Sequence, residues 1–268
     1  MNGSSAQLQG PRPRVFAPHW PRRLAWAGLA VYVLYALSTL NLSWERMMAG
    51  GPQALKVLAR MVPPNMAPDK LDIIAAGLLE SLQIAVIATF VGVLLSLPLA
   101  LMAARNLSPA ALAAVARTVI ALCRSFHPII VAILFVKAVG FGALSGVLAL
   151  VVSSMGFVSK LLAEVLEELD ERQVEAVRAT GAGFFAVLVM AVMPQVFARF
   201  IGLAAYQFDS NLRNSTMVGI VGGGGIGAAL FTAYQRFDYD VVFTILLLII
   251  ALIMASEALS MVLKKVFR

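Results

Sequence analysis

A few charged and amide side chains interrupt long apolar stretches of this sequence, and they are the first candidates for chemistry. Arg124 and His127 lie in one such stretch, and a polar run begins at Asp209 in another. That run contains Asp209, Asn211, Arg213, Asn214, Ser215 and Thr216. A guanidinium group can hold an oxyanion through two parallel hydrogen bonds, so an arginine such as Arg213 would suit the passage of an anion.

Simpler explanations exist for the same residues. Asp209 and Arg213 are one helical turn apart and could form a pair within one helix. A single histidine such as His127 is more often satisfied by local hydrogen bonds than chemically active. A pathway role and a purely structural role therefore both remain open for these positions.

A glycine-rich segment follows the polar run. Gly222, Gly224 and Gly227 satisfy the pattern G-x-G-x-x-G. The pattern indicates a dinucleotide site only inside a βαβ unit with an acidic residue about 20 positions further on, so this interpretation is weak here. Two readings stay open: the glycines allow close helix packing and positive backbone angles, or they form a movable gate where a span breaks.

The composition defines the environment in which all these residues act. The chain has 268 residues, of which 60% are hydrophobic and 13% charged, and its mean hydropathy is +0.88. A soluble domain carries about a quarter charged residues, so this chain cannot cover a water-facing surface and is predicted to be an integral membrane protein. The single cysteine, Cys123, excludes an internal disulfide framework and a multi-cysteine metal site.

Six segments are long and apolar enough to cross a membrane, which predicts an all-α, polytopic protein. They are residues 24–42, 78–103 with a helical lead-in from residue 71, 110–139, 143–162, 186–208 and 241–263. Pro128 interrupts the third and is predicted to kink it. Residues 50–70 are predicted to be a loop around a short amphipathic piece at 54–61, and the segment 209–240 is expected outside the membrane or partly re-entrant.

The distribution of positive charge predicts the orientation. The net charge is +7, and arginines and lysines flank the first span and follow the last one. Basic residues favour the cytoplasmic side, and an even number of spans places both termini there. The excess of positive charge is then a signal of topology rather than of nucleic-acid binding.

The segment between the fourth and fifth spans is predicted to be cytoplasmic and carries a dense acidic cluster. Six of the chain's 14 acids lie there: Glu164, Glu167, Glu168, Asp170, Glu171 and Glu175. By composition alone they could be a solvated helix end. The residues from Glu175 to Gly181, followed by Pro194, predict a short helix, a glycine turn and a new span bent by its proline. Such a rigid knob could transmit force from a soluble partner.

This cytoplasmic pattern resembles the signature of permease subunits of bacterial ABC importers. The signature is Glu-Ala-Ala, three residues, Gly, nine residues, Ile, any residue, Leu-Pro. Its matching positions are Glu175, Ala176, Gly181 and Pro194, whereas Val177, Ala191 and Met193 are small or apolar replacements. The resemblance implies a type I ABC importer permease fold, with residues 171–183 as the coupling helix that docks on an ATPase.

Further stretches resemble the phosphonate-importer branch, which includes relatives assigned to phosphite. They are residues 124–128, 134–140, 146–150, 175–181, 211–216 and 222–227. The resemblance divides the chain into a cytoplasmic tail (1–23), a first span with a periplasmic loop (24–70), a permease core (71–264) and a cytoplasmic end (265–268). Residues 71–264 are covered well and the remainder loosely.

The resemblance also implies functional residues and partners. ATPase coupling is expected from Glu175, Ala176, Val177, Gly181 and Pro194. The pathway or gate is expected to use Arg124, His127, Asp209, Asn211, Arg213, Asn214, Ser215, Thr216, Gly222, Gly224 and Gly227. The expected partners are a second copy, two ATPase subunits that carry ATP and Mg, a periplasmic binding protein, inner-membrane lipid and a small anionic solute. No catalytic residue, metal or cofactor is expected in this chain.

Competing functions are weaker but remain distinguishable. The sequence lacks a G-x-x-x-x-G-K-[ST] phosphate loop, an H-E-x-x-H zinc motif and a G-x-S-x-G serine motif, so a membrane enzyme is a poor alternative. An autonomous secondary transporter would need its own coupling-ion site and no docking knob. An importer of methionine, phosphate or another small solute remains an alternative cargo assignment.

Overall fold

The computed structural model describes residues 20–40 and 43–266, and this part of the chain contains helices and no β-strand. The helices are α1 (Trp20–Thr39), α2 (Trp44–Met61), α3 (Pro68–Ala103), α4 (Ala110–Ser125), α5 (Pro128–Val139), α6 (Ala143–Glu167), α7 (Glu171–Ala179), α8 (Phe184–Val187), α9 (Met193–Ile220), α10 (Ile226–Gln235) and α11 (Tyr239–Val266). A π-helical turn, Leu188–Val192, joins α8 to α9. The expected all-α architecture is confirmed.

Four helical segments of the described residues are long and apolar enough to cross a membrane by themselves, namely α3, α6, the continuous stretch from α8 to α9, and α11. The count rises to six when α1 with α2, and α4 with α5, are each taken as one broken span. This range includes the six predicted spans.

The chain divides into two compact units, residues 1–58 and 59–268. The first unit contains α1 and most of α2, and neither helix buries a residue. The predicted loop over 50–70 is wrong in its first half, because α2 already begins at Trp44 and continues through Pro52. Residues 1–19 of the predicted tail 1–23, residues 41–42 and residues 267–268 lie outside the described residues, and residues 20–23 belong to α1.

The second unit is a helical bundle built around α3. Small side chains recur along the buried face of this 36-residue helix and let neighbouring helices approach closely. At Gly92, for example, an added Cβ would lie 2.4 Å from the Cβ of Ser154 on α6. Apolar clusters around Ile120 and Leu166, around Ile84 and Leu150, and around Ile74 and Ile245 fill the bundle.

The predicted third span is two helices rather than one kinked helix. The axes of α4 and α5 differ by 89°. His127 caps α5 by accepting a hydrogen bond from the backbone N–H of Ile129 at Nδ1, 3.4 Å away, and Pro128 is the first residue of α5. Because proline disfavours helical geometry in the residue before it, the chain leaves the helix at Phe126 and His127 and starts a new one.

The fifth predicted span, 186–208, ends too early. The helix begins at Phe184 and continues through α9 to Ile220 before the glycine-rich turn. The polar run that begins at Asp209 is therefore on a helix of the bundle and not in a connecting segment. Polar side chains do not end a helix when neighbouring helices satisfy them, and α9 ends only just before Gly222, which has φ +101°.

Candidate functional site

The knob predicted from the sequence is present as α7 and the turn that follows it. Asp170 caps the helix, its Oδ1 accepting from the backbone N–H of Arg172 at 3.0 Å. Gly181 ends the knob with φ +81°, a left-handed conformation that favours glycine. Val174 is buried against the bundle, whereas Glu175 and Ala176 are exposed. Part of the signature is thus displayed on the free face of a short helix.

The residues just before α7 contact the first two turns of α9. The backbone N–H of Asp170 donates to Oε1 of Gln195 at 3.1 Å, and Arg199 pairs with Glu168 at 2.8 Å. Pro194 immediately precedes Gln195, so this signature residue lies at the base of the knob and not on its exposed face. These two contacts join the start of α7 to the long helix α9.

A second set of contacts joins the C-terminal ends of α3 and α6 to each other and to α4. Glu167 accepts from the backbone N–H of Arg105 at 2.8 Å and pairs with Arg117 on α4. Asn106 donates from Nδ2 to the carbonyl of Leu166 at 2.8 Å. Members of the acidic cluster therefore hold helix ends together, a role that composition alone does not reveal.

A buried polar network occupies the contact between α3, α6 and α9. Asn211 is completely buried and donates from Nδ2 to Thr89 Oγ1 at 2.9 Å and to Ser154 Oγ at 2.8 Å. Gln207, one turn earlier on α9, donates to Ser154 Oγ at 2.9 Å and to Asn211 Oδ1 at 3.0 Å. Thr89, Ser154 and Gln207 are absent from the sequence-based set. The four-residue spacing of Gln207 and Asn211 is the signal that could have indicated their shared helix face.

The pair formed by Asp209 and Arg213 connects α9 to α11. Arg213 Nη2 lies 2.6 Å from Asp209 Oδ2, and the hydroxyl of Ser256 donates to the other carboxylate oxygen at 2.9 Å. The Asp209 side chain is 12% exposed and that of Arg213 45% exposed. The intrahelical pair considered from spacing is present, and the arginine keeps an accessible face.

The remaining polar residues of the run point in different directions. Asn214 donates to Ser210 Oγ at 3.4 Å, and buried Ser215 donates to the carbonyl of Leu212 at 2.8 Å. The carbonyl of Thr216 faces the glycine-rich segment. The run therefore divides among the bundle interior, α11 and an exposed face, and it does not form one continuous polar surface.

The glycine-rich segment is a tight turn pressed against three helices. Gly222, Gly224 and Gly225 have positive φ, and the carbonyl of Gly222 accepts from the N–H of Gly142 at 2.9 Å. A Cβ added to Gly227 would lie 1.9 Å from the carbonyl oxygen of Thr216. These contacts account for the glycines by close packing. No strand accompanies them in the described part of the chain, so the βαβ unit that a dinucleotide site of this pattern requires does not occur there.

Arg124 and His127 lie at the bend between α4 and α5, and both are exposed. Arg124 lines a cleft between α4 and α6, whereas His127 acts as the cap of α5. No cluster of three or more His, Cys, Asp or Glu side chains suited to a metal occurs within residues 20–40 and 43–266.

The comparison with known proteins decides the family. Residues 96–268 match the family described as the inner membrane component of binding-protein-dependent transport systems. The chain belongs to this family. The family predicted from Glu175, Gly181 and Pro194 is confirmed, and the protein is a multi-pass permease of the inner membrane.

Two curated relatives are 38% identical to this permease. The phosphate-import permease protein PhnE of Mycolicibacterium smegmatis matches over 234 residues, which are 87% of this chain but 43% of that longer protein. The phosphite transport system permease protein PtxC of Stutzerimonas stutzeri matches over 258 residues, 95% of this chain and 93% of the relative.

A solved structure shares the fold of the permease. The structure of the MetNI methionine ABC transporter in an inward-facing conformation has a TM-score of 0.68 and 22% identity, covering 76% of this chain and all of the matched one. The expected importer permease fold is confirmed.

Proposed function

We propose that this permease is the transmembrane subunit of an ATP-driven importer for phosphonate, phosphite or a related phosphorus oxyanion. The observation that carries the proposal is the match to a phosphite permease over 93% of that relative's length. Further support comes from relatives named for phosphate import and for phosphonate transport. The exposed α7 knob supports coupling to a soluble subunit.

Coupling is proposed to run through α7. Glu175, Ala176 and Val177, with Gly181 at the turn, would dock on an ATPase that binds ATP and Mg, and Pro194 at the base would connect the knob to α9. Two copies of the permease would place two such knobs side by side, each on its own ATPase. Approach of the ATPases would then move the bundles between inward-facing and outward-facing arrangements.

The periplasmic side of the permease is proposed to receive solute from a periplasmic binding protein. With both termini in the cytoplasm, the turn at residues 222–227 would lie towards the periplasm. Its tight packing supports a rigid element that moves as a unit rather than a flexible flap. A gate at this turn would open by displacement of α9 and α10 together.

A methionine importer is the alternative cargo assignment. Its support is the fold shared with the methionine transporter and identities of 24% and 27% to D-methionine permeases. The 38% identity to phosphate and phosphite permeases favours the phosphorus oxyanion. An autonomous transporter would leave the α7 knob without a function.

The test is uptake by the complex isolated through an affinity tag on this permease and reconstituted in proteoliposomes. With binding protein outside and ATP available to the ATPase, we expect uptake of phosphite, methylphosphonate or phosphate and none of methionine. Methionine uptake in preference to all three oxyanions would overturn the cargo. Transport by the permease without an ATPase would overturn the importer.

A further inference from the structure

A cleft of about 200 Å³ between α4 and α6 carries three cationic side chains. Arg117 and Arg124 line it from α4, and Lys160 lines it from α6 together with Glu164. Arg117 and Arg124 are two helical turns apart on the same face, and Lys160 and Glu164 are one turn apart on the facing helix. The cleft thus concentrates positive charge on two adjacent helices.

Close packing fixes the position of Arg124. A Cβ added to Gly156 of α6 would lie 3.0 Å from Arg124 Cγ and 2.8 Å from Cys123 Cβ, so the absent side chain makes room for the arginine stem. Lys160 follows Gly156 by one helical turn on the same face. The stem of Arg124 is therefore held against α6 beside Lys160.

The three cations differ in how far they are already paired. Arg117 pairs with Glu167 and donates from Nε to the carbonyl of Ala103 at 3.0 Å. Lys160 pairs with Glu164 one turn away, an exposed intrahelical pair of a kind that contributes little. Arg124 has no ion pair or hydrogen bond to any residue in the described ranges 20–40 and 43–266, so its guanidinium donors are available.

The position of Arg124 makes an unpaired charge informative. It lies 14 residues after Ala110, the first residue of α4, which places it about 21 Å along the helix. α4 and α5 together are apolar enough to form one broken membrane span. Charged side chains within such spans are costly and mark solute pathways or polar cavities. Arg213, by contrast, already has Asp209 as its counter-ion.

We propose that this α4–α6 cleft binds a tetrahedral phosphorus oxyanion. The guanidinium of Arg124 donates two parallel hydrogen bonds to the oxyanion. Lys160 breaks its ion pair with Glu164 and supplies a second positive charge. Arg117 adds positive potential at the cytoplasmic end of the cleft. The identification of the ligand as the transported solute rests on the proposed function. A phospholipid headgroup carries the same phosphate chemistry and is the other possible source.

Two binding measurements on the intact complex in maltoside detergent separate the sources. Phosphite titration followed by ³¹P NMR measures solute binding, and native mass spectrometry measures phospholipid that co-purifies. The variants are Arg124→Gln and Lys160→Gln, with Lys137→Gln on α5 as the matched control outside the cleft. Glu164→Gln, which releases Lys160 from its partner, is the variant expected to act in the opposite direction.

We expect Arg124→Gln and Lys160→Gln each to weaken phosphite binding about tenfold or more, the loss expected for a charged hydrogen bond. Glu164→Gln should strengthen it, and Lys137→Gln should leave it unchanged. Loss of a co-purified phospholipid in the same two variants, with phosphite binding unchanged, assigns the site to the headgroup. Equal binding of both probes by all variants overturns the site.

Uptake by the same preparations distinguishes failure of the site from failure of the proposed function. A wild-type complex that takes up no phosphorus oxyanion contradicts the proposed function. The other outcome concerns a wild-type complex that takes up a phosphorus oxyanion. If Arg124→Gln and Lys160→Gln equal this wild type in uptake and in both binding measurements, only the α4–α6 site is overturned.

Discussion

Asn211 and Ser154 join α9 to α6 through a hydrogen bond of 2.8 Å from Nδ2 to Oγ. The same amide group reaches Thr89 on α3, so one completely buried side chain connects three helices. In lipid the bundle has no hydrophobic driving force between its helices, and buried hydrogen bonds and close packing hold it together. The Asn211 network is therefore a structural joint of the permease.

Replacement of Asn211 by alanine tests that joint. The substitution leaves the hydroxyls of Thr89 and Ser154 without their shared donor, and we expect a loss of about 1–3 kcal/mol in unfolding free energy. Thermal unfolding of the purified complex in detergent measures the change. Asn214→Ala, which removes only a 3.4 Å contact to Ser210, is the control and should be close to wild type. Equal effects of the two variants would contradict a special role for Asn211.

Gly227 is the second test, because among the described glycines an added Cβ would come closest to a neighbouring atom there. An alanine Cβ there would lie 1.9 Å from the Thr216 carbonyl oxygen, so the turn cannot keep its position against α9. We expect Gly227→Ala to reduce the amount of assembled complex recovered by size-exclusion chromatography. Gly202→Ala, where nothing lies within 4 Å of the new atom, should assemble normally. Normal recovery of Gly227→Ala would show that the turn has room to shift.

Gly181 tests coupling at α7. Proline cannot adopt φ +81°, so Gly181→Pro should distort the end of the knob and separate ATP hydrolysis from uptake. Asparagine tolerates the left-handed region, and Gly181→Asn should retain most of the uptake. ATPase rate and uptake are measured in the same proteoliposomes. Normal transport by Gly181→Pro would rule out docking through this turn.

Arg213 tests whether its ion pair serves anion passage. Arg213→Ala leaves the Asp209 carboxylate with only the Ser256 hydroxyl, and we expect uptake to be lost while the complex still assembles. The double variant Asp209→Asn/Arg213→Gln removes the pair without stranding a charge. We expect it to remain defective in uptake. Restored uptake would show that Arg213 serves only to neutralise Asp209.

Much of the helical architecture is readable from local sequence. Apolar length locates α3, α6 and α11, and the glycine turn at Gly181 predicts the end of α7. These features depend on residues close together in the chain. Local rules therefore account for them without knowledge of the tertiary contacts.

The errors at polar positions share one physical origin. Tertiary contacts decide whether a polar residue ends a helix or is hydrogen-bonded inside the bundle. Asp209 suggested the end of a span, yet Ser256 and Arg213 satisfy it and the helix continues to Ile220. Thr89 and Ser154 carry hydroxyls within apolar runs and are not distinctive in the sequence. Only the packing of α3, α6 and α9 brings both hydroxyls within hydrogen-bond distance of the Asn211 amide. The error at α4 has a local origin instead, because Pro128 and the restriction on the residue before it break the predicted span into two helices at 89°.

The π-helical turn at Leu188–Val192 determines which directions the side chains of α9 face. The N–H of Met193 donates to the carbonyl of Leu188, five residues back, so this turn holds one residue more than an α-helical turn would. Each residue of an α-helix advances the azimuth by about 100°. Deleting one residue here would bring Arg213 and Asn211 round to different neighbours while leaving α7 unchanged. A single inserted position thus sets the rotation of the buried network on α9 relative to the α7 knob.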